Sequence, residues 1–155
     1  MTRFFGRRVE FLFTIFFNFA HIKETYHKFF MEQKYLYINS RDEFHRVDIS
    51  KIVYFEADAN CTHFVLSNKL KGTIGINLAQ TQRLLSERLK EDAAIFARIG
   101  KRFIVNLDYV CRIEILKQRL LLSDGEHFAY SLPVSKDALR KLREMYVEQA
   151  NHHKE

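Results

Sequence analysis

The segment Ile95-Phe-Ala-Arg-Ile-Gly-Lys-Arg-Phe-Ile-Val-Asn-Leu107 is the most informative part of this chain. Two apolar runs flank a basic elbow, Arg98 to Arg102, and such runs around a short glycine-containing loop predict a pair of β-strands. Gly100 lets the backbone turn at the elbow, so that Lys101 and Arg102 are presented to solvent. A cationic loop held between strands suits contacts with phosphates or base edges better than it suits catalysis.

The chain from Lys34 onward has the pattern of many short strands. Runs of β-branched and aromatic residues recur between turn-forming residues. The predicted strands are 35–39, 44–48, 52–56, 62–67, 70–76, 94–99, 103–107, 110–117, 120–122 and 127–132. Asp124-Gly125 lies between the last two strands and is a strong hairpin signal.

Two helices are predicted among these strands. Asn77 can cap the first helix, and Gln80 stands where a capping-box partner is expected. Its apolar face comprises Leu78, Leu85 and Leu89. Ser135 can cap a closing helix, whose apolar stripe comprises Leu139, Leu142 and Tyr146. About ten short strands without βα alternation predict a mainly β, antiparallel domain with two helices. No helix-turn-helix is visible, so we expect no conventional recognition helix.

The net charge of the chain is +6 over 155 residues, a length that suits one domain with a real core. Residues 1–30 hold five Lys or Arg against two acids, so half of the net charge belongs to this leader. Overall basicity is therefore weak evidence for nucleic-acid binding. Evidence for nucleic-acid binding must therefore come from where the charges lie.

Residues that could serve catalysis or metal binding form no recognisable constellation. Cys61 and His63 are close in sequence, but no third group is evident to orient a nucleophile. The seven histidines include no HExxH motif and no zinc-like spacing, and the five glycines form no phosphate-binding loop. Cys61 and Cys111 fit a reducing cytoplasm as free thiols, with a disulfide the less favoured interpretation. We expect a cytoplasmic protein that is not an enzyme and has no metal site and no cofactor.

Four ordered blocks between about Lys34 and Tyr146 carry a longer pattern. They are Ile52-Val-Tyr-Phe-Glu-Ala-Asp-Ala-Asn-Cys-Thr62, the helix 77–89, the segment 96–106, and Asp124-Gly125 followed by Pro133-Val-Ser-Lys136. Together they resemble the LytTR family of bacterial DNA-binding domains, whose signatures read I-x-Y-x-E-A-x-x-N-Y-T, F-x-R-x-H-R-S-x-x-V-N and P-V-S-R. The agreement of four blocks in order makes the resemblance specific. It implies an elongated, antiparallel, multi-sheet domain that reads DNA from loops.

Three loops contact DNA in this family, and the resemblance assigns their counterparts here. They are Asn60, Thr62 and His63 in the first loop, Lys101 and Arg102 in the elbow, and Ser135 and Lys136 in the third. Lys101 replaces the usual Arg, which keeps the charge but loses the planar fork that pairs with guanine. Gly100 stands where His is common, and Arg102 stands where Ser is common. The alternative is that the lysines and arginines are ordinary solvated surface charges.

Three further polar residues near these loops invite a structural interpretation. Arg98 shares a strand face with Phe96, so we expect it to pair with an acid or to cover the core with its stem. Asn60 and Asn106 could be turn residues that satisfy backbone groups. For Asn106 we favour that structural role over a contact with DNA.

Residues 1–33 form a leader of different composition, with nine of the fifteen phenylalanines in its first thirty positions. Glu10 and Asn18 interrupt its apolar run, 9–20, which is shorter than the ~20 residues of a spanning helix. No signal-peptide cleavage site follows. The leader is a helix lying on a membrane or on the domain, a packed terminal extension, or an artefact of a natural start at Met31. We favour the start at Met31, since the resemblance begins just after it.

The resemblance implies a stand-alone DNA-binding domain, 34–148, with a polar tail, 149–155. Many family members carry an N-terminal receiver domain, and we expect none here. The implied function is that of a bacterial transcriptional regulator that binds double-stranded DNA sequence-specifically, as a homodimer on repeated half-sites. The alternative is a membrane-associated or protein-interaction module on the same scaffold. Membrane contact would then come from residues 1–30, if the leader is translated.

Overall fold

The computed structural model describes residues 35–152, and within them ten strands and two α-helices alternate with short 3-10 segments. The strands are β1 (Tyr35–Asn39), β2 (Phe44–Asp48), β3 (Ile52–Asp58), β4 (Cys61–Leu66), β5 (Lys71–Ile74), β6 (Phe96–Ile99), β7 (Phe103–Asn106), β8 (Val110–Glu114), β9 (Arg119–Ser123) and β10 (Ala129–Pro133). The helices are α1 (Leu78–Leu89) and α2 (Lys136–His152), and the 3-10 segments are Ile49–Lys51, Lys90–Ile95 and Leu107–Tyr109. The predicted fold class is confirmed; the leader lies outside the described residues.

In the part of the chain that is described, the strands form three antiparallel sheets. A two-stranded sheet pairs β1 with β2, a central sheet has the order β5-β4-β3-β7-β6, and a third sheet has the order β10-β9-β8. The central sheet is buried on both faces. Val53 and Val105 pack with α2 and the third sheet, whereas Phe55 and Ile104 pack with α1 and the two-stranded sheet. Burial on both faces explains why β3 and β7 are continuous apolar runs.

Helix caps form where the sequence predicts them. The backbone N–H of Gln80 donates to Asn77 Oδ1 at 2.9 Å, and the N–H of Asn77 donates to Gln80 Oε1 at 3.1 Å, which completes the capping box. Ser135 Oγ accepts from the N–H of Ala138 at 3.3 Å. These bonds satisfy backbone donors that a helix cannot pair internally, so both helices begin where their caps stand.

Five predicted strands are longer than the observed ones, and in three of them local hydrogen bonds delay the start of the strand or end it early. The 3-10 segment Lys90–Ile95 occupies the start of the predicted strand 94–99, so β6 begins at Phe96. A turn after Glu114 shortens the predicted strand 110–117, since the N–H of Gln118 donates to the carbonyl of Ile115. Asp124 Oδ1 accepts three backbone N–H groups from residues 126–128, which delays β10 to Ala129.

Gly72 lies at a close contact between two strands of the central sheet. It pairs with Phe64 across β4 and β5, and the ring of Phe64 covers the place that a Cβ at Gly72 would take. The ring is 1% exposed and belongs to the core beside α1. A glycine is therefore needed here for space. Among residues 35–152, neither helix has the length and apolar character required to cross a bilayer.

Candidate nucleic-acid interface

The turn after β3 and the elbow between β6 and β7 lie side by side at one end of the central sheet. β3 and β7 are antiparallel with Glu56 opposite Phe103, and the N–H of Ala57 donates to the carbonyl of Arg102 at 2.9 Å. β3 then runs on into its turn at residues 59–60, while β7 begins directly after the elbow. We call the turn 59–60, the tip of the elbow (residues 100–102) and the segment 133–136 together the elbow end of the molecule.

The elbow is held in one conformation by Gly100 and Arg98. Gly100 has φ of +63°, the left-handed region that glycine tolerates best, and the backbone turns there as the sequence predicts. The Arg98 guanidinium donates to the carbonyls of Gly100 (3.2 Å) and Lys101 (3.0 Å) and reaches Gln82 Oε1 of α1 at 3.4 Å. Of the two roles expected for Arg98, pairing with an acid is not observed among residues 35–152. The guanidinium instead donates hydrogen bonds to backbone carbonyl oxygens of the turn.

The two cations of the elbow differ in their surroundings. Arg102 is ion-paired with Glu56, and its guanidinium lies 5.3 Å from the centre of the Phe103 ring. Its side chain remains 59% exposed, so solvent weakens the pair. Lys101 is exposed, and among residues 35–152 no carboxylate approaches its ammonium within 4 Å. Lys101 is thus the more available charge of the two.

The third loop adjoins the elbow across a shared cleft. Pro133, Val134 and Ser135 line this cleft together with the elbow and the first turns of α2, around a volume of about 670 Å³. A Cβ added to Gly100 would lie 4.0 Å from that of Ala138, which brings the elbow against the start of α2. Ser135 caps this helix, and Lys136 is its exposed first residue.

The first loop offers fewer accessible groups than the sequence predicts. Thr62 is 0% exposed; its hydroxyl donates to the carbonyl of Ile76 (2.8 Å) and accepts from Thr81 of α1 (3.0 Å). The Thr62 side chain, a predicted DNA contact, is therefore not exposed at this surface, because its hydroxyl is bonded within the fold. The neighbouring Asn60 is exposed, in a turn where Ala59 has φ of +51°.

His63 is anchored through both of its ring nitrogens. Nε2 lies 2.7 Å from Asp58 Oδ2, and Nδ1 lies 2.9 Å from Thr73 Oγ1. The side chain is 38% exposed, so one edge of the imidazole faces solvent in a fixed orientation. The sequence did not predict Asp58 as the partner of His63. This contact results from the pairing of β3 with β4, and no sequence motif marks it.

Asn106 has the structural role that the sequence favours. It is 0% exposed, its Nδ2 donates to the carbonyl of Ile52 at 2.9 Å, and its Oδ1 accepts from the N–H of Asp108 at 3.0 Å. It lies at the end of β7 away from the elbow. Every polar atom of this buried amide side chain therefore serves the backbone.

Tyr54 is a buried phenol on β3, opposite Val105 of β7. Burial raises the pKa of Tyr54, and the charge of Glu56 adds to this effect, so the phenol stays neutral. Cys61 and Cys111 are free thiols. No cluster of three or more His, Cys, Asp or Glu side chains suited to a metal ion occurs among residues 35–152.

Comparison with known proteins gives two matches that agree. A family model described as the LytTr DNA-binding domain matches residues 42–146. The solved LytTr DNA-binding domain of a Bacillus cereus protein, described as a methyl-accepting/DNA response regulator, is similar with a TM-score of 0.53 and 25% identity. The similarity covers 72% of this chain and 95% of that one. A search of curated proteins found no match. No receiver domain is visible in residues 35–152.

Proposed function

The chain belongs to the LytTR family of DNA-binding domains, which act in transcription regulation, and we propose that it reads double-stranded DNA sequence-specifically through the loops of the elbow end. The proposal rests above all on the convergence of three loops, remote in sequence, around exposed Lys101. A site assembled in this way presents charge and hydrogen-bond donors on the ends of rigid strands, which suits contact with the edges of a duplex.

The residues of the proposed interface have different roles. Lys101 contacts a base edge or a phosphate at the centre of the surface, and Arg102 adds a phosphate contact when its exposed pair with Glu56 opens. Ser135 and Lys136 bind phosphate at the start of α2, where the helix dipole favours an anion. Asn60 and the fixed edge of His63 flank the elbow. Thr62 is left out because it is buried.

The wider assembly is part of the same proposal. We propose that residues 34–148 act in the bacterial cytoplasm, and that two copies bind repeated half-sites. Removal of residues 1–33 should leave the domain folded and its DNA binding intact, because all the residues that carry the proposal lie after them. Loss of the cooperative melt on truncation would contradict this, and mass spectrometry of the native N-terminus would show whether the chain starts at Met31.

The decisive experiment selects bound sequences from a random duplex library and then titrates the preferred duplex at several salt concentrations. We expect enrichment of a repeated motif and a log–log salt slope that grows by about 0.9 for each phosphate contact. A scrambled duplex of equal length serves as the control for specificity. Unenriched sequences with a steep salt slope would leave non-specific binding only, and a flat slope or no binding at low salt would overturn the proposal.

A further inference from the structure

A second group of cations lies on the hairpin formed by β8 and β9, and no sequence motif singled it out. Glu114 is bonded to Arg119 at 2.8 and 3.0 Å and lies 3.7 Å from both Arg112 and Lys117. Three cations thus surround one carboxylate, which leaves an excess of two positive charges. The three cationic side chains are 48–68% exposed, whereas Glu114 is 14% exposed.

The turn of this hairpin lies at the elbow end. β9 pairs with β10 so that Arg119 is opposite Pro133, and the N–H of Val134 donates to the carbonyl of Gln118 at 3.0 Å. Val134 also lines the cleft that it shares with the elbow. The hairpin turn and Arg119 are therefore next to the third loop.

Glu114 organises the cations without neutralising them. Although its partial burial acts to raise the pKa of Glu114, the hydrogen bond and charge of Arg119, with Lys117 and Arg112, hold that pKa below its ordinary value. The carboxylate therefore stays charged and keeps the arginine of β9 in place. Exposed ion pairs of this kind are weak, so the outer cations can exchange the carboxylate for another anion.

We propose that the hairpin cations Arg112, Lys117 and Arg119 bind the phosphate backbone of the same duplex, one step beyond the third loop. The inference rests on the proposed function, because its location matters only if the elbow end faces DNA. A phosphate is the fitting partner, since three exposed cations around one carboxylate leave net positive charge, and both the arginine fork and the lysine ammonium bind phosphate oxygens. The contact therefore adds affinity without adding sequence preference.

The test compares Lys117→Ala and Arg112→Ala with Lys51→Ala. Lys51 is an exposed lysine directly before β3, at the end of the central sheet away from the elbow. Each hairpin variant should weaken binding to preferred and scrambled duplexes alike, on the order of 5-fold at low salt, and lower the salt slope by about one. The control should change neither quantity, and all three should keep the wild-type melting temperature.

The outcomes separate the two proposals. If wild type binds its preferred duplex and the hairpin variants match Lys51→Ala in affinity and slope, the hairpin inference is overturned and the proposed function stands. If wild type shows no salt-dependent binding at all, both fail together. If a hairpin variant loses preference for one base position, the contact is to a base, and the assignment to phosphate is wrong.

Discussion

Polar side chains differ in exposure and bonding between the elbow end and the opposite end of the molecule. At the opposite end, polar side chains are used by the backbone: Asn106 is buried with both of its ends bonded, and Asp124 accepts three N–H groups in the loop before β10. At the elbow end, cations are exposed. Hydrogen bonds from Arg98 and between paired strands fix the conformation of the elbow. This difference is what the proposed function predicts, with one end stabilising the fold and the other contacting DNA.

Asn106→Ala tests the stabilising end and should have the largest effect. It leaves the carbonyl of Ile52 and the N–H of Asp108 without their partner in a buried place, which should lower the free energy of unfolding by about 3 kcal/mol. Denaturant titration measures this loss. DNA affinity of the folded fraction should be unchanged; a variant that stays stable but binds DNA poorly would reverse the assignment of the two ends.

Lys101→Ala tests the binding end. Loss of an exposed charge should leave the melt unchanged, whereas affinity for the preferred duplex should fall by roughly 1–3 kcal/mol, with relaxed preference at one position if Lys101 contacts a base. Lys101→Arg should retain binding or strengthen it, because the guanidinium fork suits guanine. Fluorescence titration against preferred and scrambled duplexes distinguishes these results. Wild-type affinity and preference in Lys101→Ala would show that this residue is not in the interface.

Arg98→Ala tests whether the conformation of the elbow affects DNA binding, because Arg98 bonds to the elbow backbone and is not itself a proposed DNA contact. Two elbow carbonyls lose their donor, so the loop conformation should spread and specific affinity should fall by about 1 kcal/mol. The matched control is Gln82→Ala, which removes only the 3.4 Å contact and should be nearly silent. Loss of stability with wild-type affinity would give Arg98 a purely structural role.

The smallest effect is expected at Asp124, through pH. Desolvation acts to raise the pKa of this carboxyl, but backbone N–H groups of residues 126–128 and the side chain of His127 hold it well below its usual value. A depressed pKa means that the contribution to stability is present above about pH 4, the ordinary range of an aspartate, and is lost as pH falls below it. Asp124→Asn should therefore show a flatter decline of unfolding free energy with acid than wild type. Parallel curves would show that the loop does not depend on this charge.

Local patterns predicted much of the fold. The capping box of Asn77 and Gln80, the cap at Ser135 and the turn at Gly100 each depend on residues within four positions, and each is confirmed. Strand ends were less predictable. The start of β10 depends on which N–H groups Asp124 takes, and alternation of side chains carries no information about that competition.

Residue type and short-range spacing were enough to predict short antiparallel strands, two capped helices and a basic elbow at Lys101. Three other features depend on long-range packing: Thr62 is buried against Thr81, Arg98 reaches Gln82 of α1, and the β8–β9 turn lies beside Val134. These contacts join residues that are 16 or more positions apart in the chain. A side chain that faces another strand or helix is exposed or buried according to strand register and to the packing of elements far away in the chain. The residues next to it in the sequence do not determine that register or packing.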